Sequence, residues 1–208
     1  MENDWTSTSD VITSDANGVT KIALIDAAST LKTATTHYDN GDAYNGWFSI
    51  TLRPGYRMTG FSLSGTVLGE LGPVTTPRGK PGDGFTTNST KIDLSASARD
   101  SAWSMKQTMQ HSMVDGAIPF VMNSGPMSLT GLVYVGMWSP VYVSSRPYSP
   151  PGAPDGSSGP QVLTLASMQV LNPTLTIYTS AVPEPETYGM LLAGVAVIGL
   201  VRRRRRLA

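Results

Sequence analysis

Apolar and polar residues alternate with a period of two through most of this chain, the pattern of strands with one buried and one wet face. Phe48, Ile50 and Leu52 face one way and Trp47, Ser49 and Thr51 the other, until Arg53-Pro54-Gly55 marks a turn. Phe61, Leu63, Val67 and Leu71, interleaved with Gly65 and Gly69, oppose Ser62, Ser64, Thr66 and Glu70; the glycines predict a bend or bulge. Ile92, Leu94, Ala96 and Ala98 against Lys91, Asp93, Ser95 and Ser97 make a further strand, and Trp103, Met105 and Met109 share a face. Leu129, Val133 and Val135, with Leu132 and Tyr134 opposite, predict a strand buried on both sides. Two closing strands, 162–171 and 174–179, are separated by Asn172-Pro173.

Residues 19–36 fit two periods. Thr20, Ile22 and Leu24 alternate as a strand, while Ile22, Ile25, Ala28 and Leu31 follow a helical spacing; a strand followed by an irregular segment is expected. Residues 1–18 are rich in Thr, Ser, Asn and Asp without periodicity, which predicts a disordered leader. The loops 72–84 and 146–160 are too rich in Gly and Pro to sustain a ladder. Roughly seven to nine short strands with such connections predict an all-β fold, a single antiparallel β-sandwich over residues 19–180. No ten-residue helical pattern falls between the strands, as an α/β fold would require.

The alternation ends at residue 181. Pro183 and Pro185 predict a stiff extended approach, and Tyr188 to Val201 is an uncharged apolar run followed by Arg202, Arg203, Arg204, Arg205 and Arg206. As a helix that run spans about 21 Å, short of the ~30 Å hydrocarbon core of a bilayer. Snorkelling arginines and local thinning make up the difference, so residues 188–201 are expected to form a C-terminal transmembrane helix with the arginine cluster as its cytoplasmic anchor. A plain membrane anchor, with Pro183 opening the helix and Glu184 and Glu186 complementing its dipole, competes with a more specific reading.

Val182, Pro183, Glu184, Pro185, Glu186 and Thr187, then a short apolar helix, then terminal arginines, resemble the PEP-CTERM sorting signal of Gram-negative bacterial surface proteins. The resemblance covers residues 181–208, about an eighth of the chain. It implies recognition by a membrane-embedded exosortase, removal or exchange of the helix near Val182 to Pro185, and delivery through the inner membrane to the cell surface or an extracellular matrix rich in exopolysaccharide. Such proteins are expected to begin with a secretory signal. Met1 to Gly18 is acidic and polar instead, so the export signal is expected upstream of Met1.

Charge separates body from tail. The chain carries 15 basic and 15 acidic residues; setting aside the five tail arginines with Glu184 and Glu186 leaves 10 basic against 13 acidic, a net of −3 for residues 1–182. A mildly acidic body with scattered cations offers no stripe for a phosphate backbone, so no nucleic-acid partner is expected. The absence of cysteine excludes a disulfide framework and thiolate chemistry, leaving packing to stabilise the exported domain.

Candidate chemistry is sparse. His37 and His111 have no partner at metal-ligand spacing, and His37-Tyr38-Asp39 with Asp42 gathers oxygen ligands without matching a calcium loop. Asn40-Gly41 within it is a two-residue hairpin signal, so a plain turn is expected there. Gly60 to Gly65 departs from a nucleophile elbow because Ser64 replaces the closing glycine, which leaves Ser62 as a solvent-facing residue of a strand. Gly79 to Gly84 lacks the Lys-Ser/Thr pair of a phosphate cradle. No metal or cofactor is expected.

Trp47 and Trp138, the latter near Tyr142, are candidate glycan contacts if they stand on an outer face and not in the core. The expectation is therefore a non-enzymatic, exported surface or matrix protein with a structural or interaction role. A secreted carbohydrate-binding module is the alternative. An extracellular hydrolase drawing its carboxylates from Asp26, Asp39, Asp42 and Asp93 is a third reading.

Overall fold

The computed structural model describes residues 9–72, 85–99, 105–146 and 163–182. Its first turn is built by Asn17 and Gly18, with φ of 54° and 75°. Positive φ at both central residues is the geometry that lets a two-residue loop join twisted antiparallel strands, and Asn-Gly tolerates it at least cost. Strands β1 (Val11–Ala16) and β2 (Val19–Ala23) pair across it. Residues 11–16, expected in a disordered leader, are thus a paired strand, because the turn at residues 17–18 holds them against β2.

Both periods in the next segment are realised in succession. After β2, helix α1 (Ile25–Thr30) and strand β3 (Lys32–Thr35) take the place of the expected irregular stretch. Leu24, Ala27 and Leu31 are buried, a helical spacing too short to dominate a longer window. Strand β10 (Ala166–Ala181) pairs with β2 through residues 174–178 and with β3 through residues 166–169. Strands β2 and β3 therefore lie end to end along one edge of β10, with α1 between them.

The remaining strands are β4 (Tyr38–Thr51), β5 (Tyr56–Leu71), β6 (Phe85–Ala98), β7 (Met105–Ser112), β8 (Gly116–Asn123) and β9 (Leu132–Arg146). Among the described residues there are ten strands, slightly more than expected, in two antiparallel sheets: β1-β2-β10-β5-β8 with β3 also on β10, and β4-β9-β6-β7. Long-range pairing, with β10 closing onto β5 and β9 sitting between β4 and β6, makes the sandwich.

Two turn signals are absorbed into strands. Asn172-Pro173 does not end a strand; β10 runs through it, and the register to β5 shifts between Leu171 and Thr174. Asn172 takes φ 49° and Pro173 needs no ladder donor, so the pair makes a bulge opposite Gly65. Asn40-Gly41, expected as a hairpin turn, lies inside β4, paired residue by residue with β9. A Cβ at Gly41 would sit 2.7 Å from Tyr142 Cδ1, so glycine there makes room for a ring.

The inward faces share one core. Phe61, Leu63, Val67, Met168, Val170 and Leu175 come from the larger sheet, and Ile92, Leu94, Val133, Val135, Met137 and Val141 from the smaller. Each such side chain contributes about 1.5–3 kcal/mol in a domain that has no cysteine to cross-link it. Asn88, only 2% exposed, crosses this interface: its Nδ2 donates to Val114 O (2.7 Å) and to Ser167 O on β10 (2.9 Å), and its Oδ1 accepts from Val114 N (2.7 Å).

Among the described residues no helix is long and apolar enough to cross a membrane. The expected transmembrane helix at 188–201, the arginine cluster, most of the PEP motif, Trp103 and nearly all of the two Gly- and Pro-rich loops fall outside the described residues.

Candidate functional site: the outer face of the four-stranded sheet

Alternation along β4, β9 and β6 sends one set of side chains into the core and the other onto an outer face. Register then decides which outward residues meet. Asn45 on β4 is paired with Trp138 on β9, and Trp138 with Asp93 on β6, which is in turn opposite Thr108 on β7. One step along, Trp47 is paired with Gly136, Gly136 with Ser95, and Ser95 with Lys106. Trp47 and Trp138 are 46% and 42% exposed, so neither is a core residue.

Gly136 explains how Trp47 lies. A Cβ at this position would come within 2.7 Å of the Trp47 ring at Cζ3, so only glycine allows the indole to rest over the sheet. Trp138 is braced from β6, where Lys91 Nζ stands 5.2 Å from the ring centroid and 2.8 Å from Asp93 Oδ2. The other Asp93 oxygen accepts from Thr108 Oγ1 at 2.5 Å.

Burial alone would raise the Asp93 pKa. The hydrogen bonds from Lys91 and Thr108, with the charges of Lys91 and Lys106, outweigh it and hold the carboxyl below its ordinary value. An ionised, fixed acceptor thus stands beside two indoles. Trp47, Trp138, Asn45, Asp93, Ser95 and Lys106 line a depression of about 320 Å³.

Further along the same face lies a second depression of about 830 Å³, lined among others by Asp39, Gly41, Asp42, Ser89, Tyr142 and Ser144. Tyr142, 56% exposed, lies over Gly41 much as Trp47 lies over Gly136.

The other candidates are dispersed. His37 precedes β4 and His111 lies on β7, at opposite edges of the four-stranded sheet. Among the described residues no group of three or more His, Cys, Asp or Glu could hold a metal ion. Ser62, expected to face solvent, is 6% exposed in β5, and its Oγ is 3.3 Å from the Tyr178 hydroxyl. Being central in the larger sheet, β5 has neighbours on both edges. Asp26 sits on α1, Asp39 and Asp42 on β4, and Asp93 on β6. Asp39 and Asp42 border one depression, but an odd spacing puts them on opposite sides of the strand, and Asp42 Oδ1 accepts from Ala43 N at 2.8 Å.

Sequence reasoning named both tryptophans but missed the surroundings that make them a site: Asn45, Lys91, Lys106, Thr108 and the two glycines. Alternation had already put Lys91, Asp93 and Ser95 on one face of β6. Nothing in the sequence aligned that face with Trp138.

The class of molecule defined so far is an all-β protein with an aromatic, partly charged outer sheet. Residues 181–206 match the PEP-CTERM protein-sorting motif, so the chain carries at its C-terminal segment a signal for export to the cell envelope and surface. No curated protein matches the chain. Among solved structures, TmCBM61 in complex with β-1,4-galactotriose is similar at 9% identity and TM-score 0.31, over 84% of this chain and 89% of that one. Infectious bursal disease virus structures are similar too: the Gx strain at 13% identity and TM-score 0.33, over 80% of this chain and 37% of that one, and the Gt strain at 12% and 0.30, over 81% and 42%.

Proposed function

We propose that this is an exported interaction protein, sorted by its C-terminal signal to the cell surface or extracellular matrix, whose four-stranded sheet binds carbohydrate through Trp47 and Trp138. The observation that carries the carbohydrate reading is the outward pair of indoles with the ionised Asp93 fixed beside them. An aromatic face covers the C–H face of a pyranose ring, and a fixed carboxylate accepts from its hydroxyls. Core packing accounts for neither, since the rings stand outside the core.

The sorting half of the proposal is that residues 188–201 anchor the chain in the inner membrane with Arg202 to Arg206 in the cytoplasm, until exosortase acts near Val182 to Pro185. The body then serves without catalysis. Of the carboxylates weighed for hydrolysis, Asp39 and Asp42 diverge across their strand and Asp93 is hydrogen-bonded to Lys91 and Thr108, so these three do not make the facing pair that glycoside hydrolysis uses.

The test of binding is retention in gels containing neutral polysaccharides. Trp47→Ala and Trp138→Ala are each expected to abolish the retardation seen for the unaltered chain, with the fold intact by circular dichroism. Unchanged retardation in both variants sinks the carbohydrate reading. Intact-mass measurement of protein recovered from the cell surface tests sorting separately: a surface form still carrying Arg202 to Arg206 contradicts processing.

A further inference from the structure

The two depressions lie on one face of the same strands. Resting on the carbohydrate reading above, we propose that they are subsites of a single groove that takes an extended, uncharged polysaccharide chain lying along β9. Trp138 and Tyr142 are four residues apart on β9, about 13 Å, and Gly136, which carries the Trp47 ring, is six residues from Tyr142, about 20 Å. One sugar ring cannot touch both ends of such a track. A linear oligosaccharide can.

Between the depressions the paired outward positions are Ala43 and Pro140. Neither side chain is long enough to wall one subsite from the other, and Lys91, the outward residue between Ser89 and Asp93 on β6, is drawn towards Asp93 and the Trp138 ring. At both ends an aromatic ring lies over a glycine, Trp47 over Gly136 and Tyr142 over Gly41, so each rests along the sheet and not upright from it. Flat rings spaced along β9 suit successive units of a linear chain.

Charge selects the class of chain. The outer face presents two carboxylates, Asp39 and Asp93, against Lys106 and Lys91, the latter paired with Asp93, while Asp42 lies on the opposite side of β4. A uronic acid polymer would bring its carboxylates to a surface with no surplus of positive charge to receive them. A neutral polymer meets hydroxyls and amides at Ser89, Ser144 and Asn45 instead.

The experiment is calorimetric titration of the full chain with mono- to hexasaccharide series of neutral linear glucans, mannans, galactans and xylans, and with oligogalacturonates of matching length. For the neutral series that binds, affinity should rise at least about tenfold between disaccharide and hexasaccharide, equivalent to about 1.4 kcal/mol. Tyr142→Ala should remove most of that rise while leaving disaccharide affinity within about twofold, and Tyr142→Phe should keep it. The acidic series should bind more weakly at every length. Trp138-dependent binding that reaches its plateau at the disaccharide, ignores Tyr142→Ala, or favours the acidic series overturns the groove and leaves the carbohydrate reading standing. Absence of binding to every series overturns both.

Discussion

Removing the Asn88 side chain is the most demanding test of how the two sheets are joined. In Asn88→Ala, Val114 N–H, Val114 C=O and Ser167 C=O lose their partner at a position 2% exposed. An unsatisfied buried polar group costs about 1–3 kcal/mol, so the two groups on Val114, with the lost bond to Ser167 in the β10 ladder, should cost about 3–5 kcal/mol in all. That is a large share of the roughly 5–15 kcal/mol that holds an ordinary domain folded. With a urea m-value of about 2 kcal/mol per molar, the unfolding midpoint should fall by about 2 M, read by tryptophan fluorescence. Asn88→Asp separates the roles, because it keeps an acceptor for Val114 N–H but turns both donated bonds into a carboxylate facing two carbonyls. It should be as damaging as alanine at neutral pH and partly recover in acid, where the protonated carboxyl can donate again. A loss below about 1 kcal/mol in Asn88→Ala would refute the idea that this side chain clamps the sheets.

Two further expectations follow from the same geometry. Gly136→Ala places a methyl 2.7 Å from the Trp47 ring and should lift the indole, weakening retention on neutral polysaccharide several-fold while costing under about 1 kcal/mol of stability, since the ring is half-exposed and can swing outward; unaltered retention would contradict the role given to this glycine. Burial, then the negative charges of Asp10 and Asp26, pushes the Tyr44 pKa from 10.0 up to about 12. The folded state therefore holds this proton longer than the unfolded chain does. Its contribution to stability is complete below about pH 10 and is lost as pH rises towards 12. Tyr44→Phe should flatten that alkaline limb in denaturation measured across the window; an unchanged slope would count against it.

Much of the fold can be read from single strands. The inward sets Phe61, Leu63 and Val67, or Ile92, Leu94 and Ala96, are in the core as their alternation requires, because a period of two leaves a strand little choice once one face is buried. Turn signals were less dependable. Asn17-Gly18 and Asn40-Gly41 are the same dipeptide, yet the first turns the chain and the second lies inside a strand. The difference is that β9 is available to pair with β4 on both sides of Gly41, and that Tyr142 needs the space a side chain would fill. Asn172-Pro173 behaves in the same way: a breaker in isolation becomes a bulge when β5 and β2 hold the strand on either side.

Local sequence already carries the export signal and the inward and outward faces of most strands. The sorting motif is a contiguous string, and hydrophobic alternation is a local property, so neither needs a partner to be recognised. The candidate site, by contrast, is assembled by strand pairing. Trp47, Trp138, Asp93 and Tyr142 come from three strands, and only the register of β4 and β6 on β9 sets the two indoles beside the carboxylate and in line with Tyr142. A shift of one residue in either pairing would turn these side chains to the other face. That register is fixed by the packed core as a whole, and no single segment encodes it.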